Sequence, residues 1–157
     1  MQKITACLWF DNQAEEAAEY YVSVFDNAKI NNISRFGEGG PGSEGQVMVV
    51  DFSIEGQEFQ ALNGGPAFSF TEAVSFSIDC ASQEEVDRYW KALTDGGTES
   101  QCGWLKDRYG VSWQVVPSAL GGLIGGPDPA GSQRAMQAML GMKKLDIAEI
   151  QKAYDGG

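Results

Sequence analysis

The 157-residue chain contains no histidine. It therefore lacks the commonest metal ligand and the side chain best suited to acid–base work near neutral pH. Positive charge is also scarce. Eleven Lys and Arg stand against 22 Asp and Glu, a net charge of −11. Such a surface repels polyanions, which argues against nucleic acid as a partner, and it favours solubility. Cysteine is rare: Cys7, Cys80 and Cys102 are an odd number and form no CxxC pair. With no histidine to complete a mixed zinc site, they read as reduced thiols of a cytoplasmic protein. No run of 18 apolar residues occurs, so no membrane span is expected. The start, Met1-Gln2-Lys3-Ile4, has no secretion-signal layout and leads directly into a strand pattern.

What the chain does contain is enough apolar material for a packed interior: 43% hydrophobic residues, with four Trp and eight Phe. Two helices stand out. Ala14, Ala17, Ala18, Tyr21 and Phe25 share one helical face, as do Val86, Tyr89, Trp90 and Leu93. The patterns predict helices over residues 13–26 and 82–95. Ser82 and Glu85 form a capping box at the second start. Asn27 and Gly96, which tolerate left-handed backbone, follow the two helices.

The helices match at a constant offset of 69 residues, Glu15-Glu16 with Glu84-Glu85 and Tyr20-Tyr21 with Tyr89-Trp90. A β-rich run precedes each, Ile4 to Phe10 and Ala73 to Asp79. In the second run Val74, Phe76 and Ile78 alternate with Ser75 and Ser77. Strands are expected after the first helix at Ile30–Phe36, Gln46–Ile54 and Glu58–Leu62. After the second they are expected at Glu99–Gln101, Gly103–Lys106 and Val111–Val116. Glu55-Gly56 and Asp107-Arg108-Tyr109-Gly110 read as turns, and aligning Gly56 with Gly110 pairs Phe59-Gln60 with Trp113-Gln114. The fold class that follows is α+β, two tandem β-α-β-β-β units forming curved mixed sheets plus a short helical tail. The boundaries are one domain over 1–157, with repeats at about 3–63 and 72–117 and the tail at 118–157.

The glycine-rich stretch from Gly37 to Gly45 carries two acids and no base, and no helix pattern follows it. It reads as a mobile hairpin loop and not as a phosphate cradle. In the tail, Met136, Met139 and Leu140 mark one helical pattern and Ile147, Ile150 and Tyr154 another. They suit packing on the core or on a second copy of the chain.

The stretches CLWFDNQAEEAAEYYVSVF (7–25), LNGGPAFSF (62–70), QEEVDRYW (83–90), CGWLKDRYGVSWQVVP (102–117) and QRAMQAMLGMKK (133–144) closely resemble the PhnB-like family. That family is also called 3-demethylubiquinone-9 3-methyltransferase-like. It belongs to the vicinal oxygen chelate superfamily of glyoxalases, extradiol dioxygenases and bleomycin-resistance proteins. The resemblance implies the paired β-α-β-β-β fold and a homodimer. It also implies four metal-ligand positions on the first and last strands of the two units. Carried onto this chain they fall at about Ala6, Gln60, Ser75 and Gln114, where neither His nor a carboxylate is found. Two amides, a hydroxyl and a methyl offer no anionic ligand to a divalent cation, so no metal and no cofactor are expected.

Each sheet must bury one face against its helix, and Phe59, Val74, Phe76, Ile78 and Trp113 suit that face. Alternation then sends Gln60, Ser75, Ser77, Ser112 and Gln114 to the opposite side. With Asn63, Phe68, Phe70 and Trp104 as a rim, this makes a pocket for an unknown small molecule. Gln60, Asn63, Ser75, Ser77, Trp104 and Gln114 are the candidate ligand-binding residues. No catalytic constellation is visible. Cys102 has no histidine to activate it and no helix start nearby. The leading reading is a metal-free small-molecule-binding protein. An enzyme of the superfamily is the alternative, either a metal-dependent lyase, isomerase or dioxygenase or the methyltransferase of the family label. A third is a dimeric interaction module without a ligand.

Overall fold

The computed structural model describes residues 3–157. Contacts divide the chain into two units, Met1–Phe70 and Thr71–Gly157. In the first, β1 (Ala6–Phe10) and α1 (Ala14–Val24) are followed by β2 (Ala28–Arg35), β3 (Val47–Ile54) and β4 (Gln57–Asn63). The strands form a mixed sheet of order β1-β4-β3-β2, with β1 parallel to β4 and the other pairs antiparallel. The second unit repeats this plan with β5 (Ser75–Cys80), α2 (Gln83–Thr94), β6 (Thr98–Glu99), β7 (Trp104–Lys106) and β8 (Ser112–Pro117), in the order β5-β8-β7-β6. Three helices close the chain: α3 (Leu120–Ile124), α4 (Pro129–Leu140) and α5 (Ile147–Asp155).

The core of the first unit lies between α1 and one face of its sheet. Ala14, Ala17, Ala18 and Tyr21 meet Leu8, Phe10, Val50, Phe52, Phe59 and Ala61, all buried. The Tyr21, Phe52 and Phe59 rings stack in series at 6.0 and 5.2 Å between centroids. In the second unit Val86, Tyr89, Trp90 and Leu93 pair in the same way with Leu105, Trp113 and Val115. The helix starts differ. Ser82 Oγ accepts from the Glu85 amide at 3.2 Å, as the capping box predicts. Gln13 gives α1 no side-chain cap. There Asn63 takes over, its Oδ1 accepting from the Ala14 amide at 2.8 Å.

Three sequence expectations are corrected. Gly96 is left-handed with φ +77°, but Asn27 is not among the left-handed residues. Its carbonyl instead accepts from the Glu55 amide at 2.6 Å, tying the start of β2 to the β3–β4 turn. Val74 does not pack under α2. It precedes β5 and is 68% exposed. The third correction is register. Phe59 pairs with Ala6 and Trp113 with Phe76, so the first strands of the two units are offset by 70 residues, not 69. The turn from strand to helix has three residues in the first unit, 11–13, and two in the second, 81–82.

Asp107 organises the β7–β8 hairpin. Its Oδ1 accepts from the Tyr109 amide at 2.8 Å and the Val111 amide at 3.1 Å, and its Oδ2 accepts from the Trp113 indole at 2.9 Å. The tail is held to its own unit by main-chain groups. Cys102 and Gly103 donate to the carbonyls of Met142 and Lys143, each at 2.8 Å. The Gln83 side chain donates to the Leu145 carbonyl at 3.0 Å and accepts from the Ile147 amide at 2.8 Å. Leu120, Leu123, Ala135, Leu145 and Ile150 form a buried cluster on which Val116 and Met139 pack. Ile150 and Met139 thus serve the tail's own core, and Met136 and Leu140 remain as its exposed large apolar residues. Among the described residues no helix is long and apolar enough to cross a membrane.

Candidate functional site

Strand pairing sets which side chains share the sheet face turned away from each helix. In the second unit, Ser75, Ser112 and Lys106 form one row across β5, β8 and β7, and Ser77, Gln114 and Trp104 form the next. Residues directly opposite one another on paired strands lie on the same face. Gln114 Nε2 donates to Ser75 Oγ at 3.0 Å, joining the rows. Lys106 pairs with the Glu72 carboxylate. Hydrogen bonding from Lys106 holds that carboxyl below its usual pKa range. Ser112 is 1% exposed, and its Oγ is the one buried side-chain polar atom without a partner among the described residues. An orphan of this kind costs about 1–3 kcal/mol.

In the first unit Cys7, Gln60, Asp51 and Asn32 form the corresponding row, followed by Trp9, Leu62, Val49 and Ser34. Gln60 and Asp51 line a hollow of about 520 Å³ together with Thr5, Lys29 and Glu58. Asn63 follows the other alternation, with Phe59 and Ala61. Both ends of its amide are engaged, Oδ1 by Ala14 and Nδ2 by the Val47 carbonyl at 3.0 Å. It also borders a larger cavity of about 750 Å³ at the end of the first sheet. Of the aromatic candidates, Trp104 joins the Gln114 row, while Phe68 stands edge-on to Trp9 and Phe70 edge-on to Phe10.

The 70-residue strand offset replaces Ala6 by Cys7 as the first-strand partner of Gln60, and makes Ser77 rather than Ser75 the equivalent partner of Gln114. Parity alone could have found Cys7 only if the shorter second turn had been known. Lys106 and Glu72 were reachable from the sequence as charged residues but not as a pair. Partial desolvation raises the Cys7 thiol above its ordinary pKa, so it is protonated at neutral pH. Cys80 is buried and pushed up to about 11 by desolvation. Neither pair offers a divalent metal a carboxylate or an imidazole: of Cys7 and Gln60 in the first unit and Ser77 and Gln114 in the second, only the thiol could become an anionic ligand.

Two mixed four-stranded sheets, each built as β-α-β-β-β, define the vicinal oxygen chelate class of protein. The model of the 3-demethylubiquinone-9 3-methyltransferase family matches residues 2–116, and the chain belongs to that PhnB-like family. It is similar to a solved structure described as a putative 3-demethylubiquinone-9 3-methyltransferase, PhnB protein, from Bacillus cereus. That match has 40% identity, a TM-score of 0.68, and covers 74% of this chain and 99% of the other. The protein PA1353 from Pseudomonas aeruginosa shares the fold at 21% identity and TM-score 0.62, covering 74% of this chain and 98% of that one. So does the fosfomycin resistance protein FosX from Listeria monocytogenes, solved with Mn(II) and sulfate. It shows 16% identity and TM-score 0.51, covering 77% of this chain and 94% of its own. No curated protein matches the chain.

Proposed function

We propose that the protein binds a small neutral or weakly anionic molecule, without a metal, on the sheet face of the second unit that carries Gln114. One observation carries this reading: Ser77, Gln114 and Trp104 stand in a single cross-strand row, with Ser75 bonded to Gln114 beside it. An amide and hydroxyls orient a ligand by hydrogen bonds, and the Trp104 indole supplies apolar contact area. Asn63 is better placed as a strut for the start of α1 than as a ligand contact of this face.

Gln114→Leu is expected to weaken ligand binding at least tenfold while leaving the melting temperature near that of wild type. Ser112→Ala removes a hydroxyl that has no partner. It should raise stability by about 1 kcal/mol and, because the hydroxyl is buried, leave binding near that of wild type. Lys91→Ala, on the exposed side of α2, should change neither. The measurement is a thermal-shift screen of small aromatic and polar metabolites on wild type and the three variants. Hits that persist unchanged in Gln114→Leu rule the face out as the site.

The methyltransferase reading belongs to the family description and to the relative from Bacillus cereus. It has less support here. Neither strand-to-helix turn, Asp11-Asn12-Gln13 or Ala81-Ser82, contains the glycine that brings backbone amides against a nucleotide cofactor. The same proposal makes the protein a homodimer that uses Met136 and Leu140 of α4, two of its exposed large apolar residues. Light scattering at micromolar concentration should report twice the monomer mass. A monomer under those conditions contradicts the dimer.

A further inference from the structure

We infer a second binding site, for a small organic cation with an aromatic body, in the cavity at the end of the first sheet. The cavity measures about 750 Å³, within the range of sites that take metabolite-sized ligands. It goes beyond the proposed function, because it shares no residue with the rows that carry Gln60 and Gln114. Trp9, Phe36, Met48 and Leu62 supply apolar walls, Asp11 and Glu15 supply carboxylates, and among the described residues no Lys or Arg lines it.

The walls are held in place before any ligand arrives. Trp9 Nε1 donates to the Gly65 carbonyl at 2.9 Å, which fixes the indole plane. Gly64 lies against that ring so closely that a Cβ there would come within 2.4 Å of it. On the other side, Gly42 packs against Phe36, where a Cβ would fall 2.5 Å from the ring. The loop carrying Gly42 is closed at its base. Phe36 donates to the Gln46 carbonyl at 2.8 Å, and Gly45 donates to the Phe36 carbonyl at 2.9 Å. Arg35, at the same base, donates to the Gly45 carbonyl at 3.1 Å.

The backbone that carries the carboxylates is held as well. The amides of Gly64 and Gly65 donate to the carbonyls of Phe10 and Asp11 at 2.9 and 3.2 Å. Ala14 is tied to Asn63 at 2.8 Å, so the turn that bears Asp11 and begins the helix bearing Glu15 is pinned at both ends. The start of α1 contributes a partial positive charge of about one half, which two carboxylates outweigh. The net charge of −11 further concentrates cations at the surface. Among aromatic side chains, Trp offers a cation the strongest ring-face attraction. A neutral ligand could use the Asn12 and Gln46 amides that also line the cavity, but it would leave both carboxylates without a counter-charge.

The probe is phenethylamine, an ammonium at pH 7, compared with 2-phenylethanol and phenylacetate by titration calorimetry on the full chain at low salt. Phenethylamine should bind one to one and at least fivefold tighter than the alcohol, and phenylacetate should give no saturable heat. The double variant Asp11→Asn, Glu15→Gln should lose at least fivefold in amine affinity, and Lys91→Ala should lose nothing. On wild type, amide NMR shifts on adding the amine should concentrate on the Trp9 indole and the Asn12 and Gln46 side chains. This readout does not depend on any variant folding. Equal affinity for amine and alcohol, undiminished affinity in the double variant, or shifts centred elsewhere overturns the site.

Discussion

Asp107→Ala is expected to lower stability by about 3–5 kcal/mol, the largest loss we foresee from any single polar substitution in this chain. Asp107 is 3% exposed and accepts three hydrogen bonds, two from the backbone of its own turn and one from the Trp113 indole. Truncation leaves the Val111 amide and the indole buried without acceptors, and each orphan costs about 1–3 kcal/mol. A hydrogen bond to a carboxylate is also stronger than one between neutral groups. The chain as a whole has on the order of 5–15 kcal/mol to lose, so the variant should be visibly destabilised. Asp107→Asn keeps one acceptor oxygen and should fall between wild type and Asp107→Ala. Urea denaturation followed by Trp fluorescence measures both. A loss under 1 kcal/mol for the Ala variant means that the carboxylate does not hold the hairpin.

Leu145→Ala is expected to cost about 2–5 kcal/mol and to loosen the tail before the second sheet. Leu145 is fully buried among Leu120, Leu123, Ala135 and Ile150. Its side chain also reaches Gly103, where a Cβ would lie 3.1 Å from Leu145 Cδ1 and 2.9 Å from the Val115 carbonyl. Gly103 is left-handed, with φ +84°, and donates to the tail at Lys143. One leucine therefore fills the centre of the tail cluster and the seam where the tail meets the strands. Truncation leaves a cavity that helices joined by short turns can close only in part. Limited proteolysis should cut between residues 118 and 144 in the variant at protease levels that leave wild type intact. If the cleavage pattern and the urea midpoint both match wild type, the tail does not depend on this contact.

Much of the fold was legible because local patterns and the long-range outcome agree. Ala14, Ala17, Ala18 and Tyr21, like Val86, Tyr89, Trp90 and Leu93, recur at helical spacing, and every one is buried. Glu55-Gly56 has φ of 49° and 80°, the paired left-handed values that a two-residue hairpin needs. The side of its own sheet to which each of Gln60 and Gln114 points was legible for a similar reason. Each follows a large buried aromatic, and alternation leaves the next side chain no other direction.

Other elements were not legible because distant parts of the chain decide them. Asn63 borders a cavity, but its second task was not legible: the start of α1 lacks a cap of its own and recruits its Oδ1 across the sheet. Asn27 looked like a left-handed helix stop, but its carbonyl is claimed by Glu55. The short α3 hides behind Gly121-Gly122, which carry no apolar periodicity. Met139 and Ile150 suited either the core or a second copy of the chain, and only the closing of α3, α4 and α5 on each other puts them in the tail's own cluster.

Taken alone, the sequence determined two β-α-β-β-β units, their helices and turns, and which side of the last strands bears amides. These follow from spacing and alternation, which act over a few residues. The tertiary structure alone decided the register of β1 and β5, because one residue more or less in a turn changes which side chains stand opposite each other. It also decided the burial of an unpartnered Ser112 hydroxyl, the pairing of Lys106 with Glu72, and a cavity walled by Trp9 and Phe36. Each of these depends on groups that meet only when separate strands and loops have packed, and no local pattern in the chain records such a meeting.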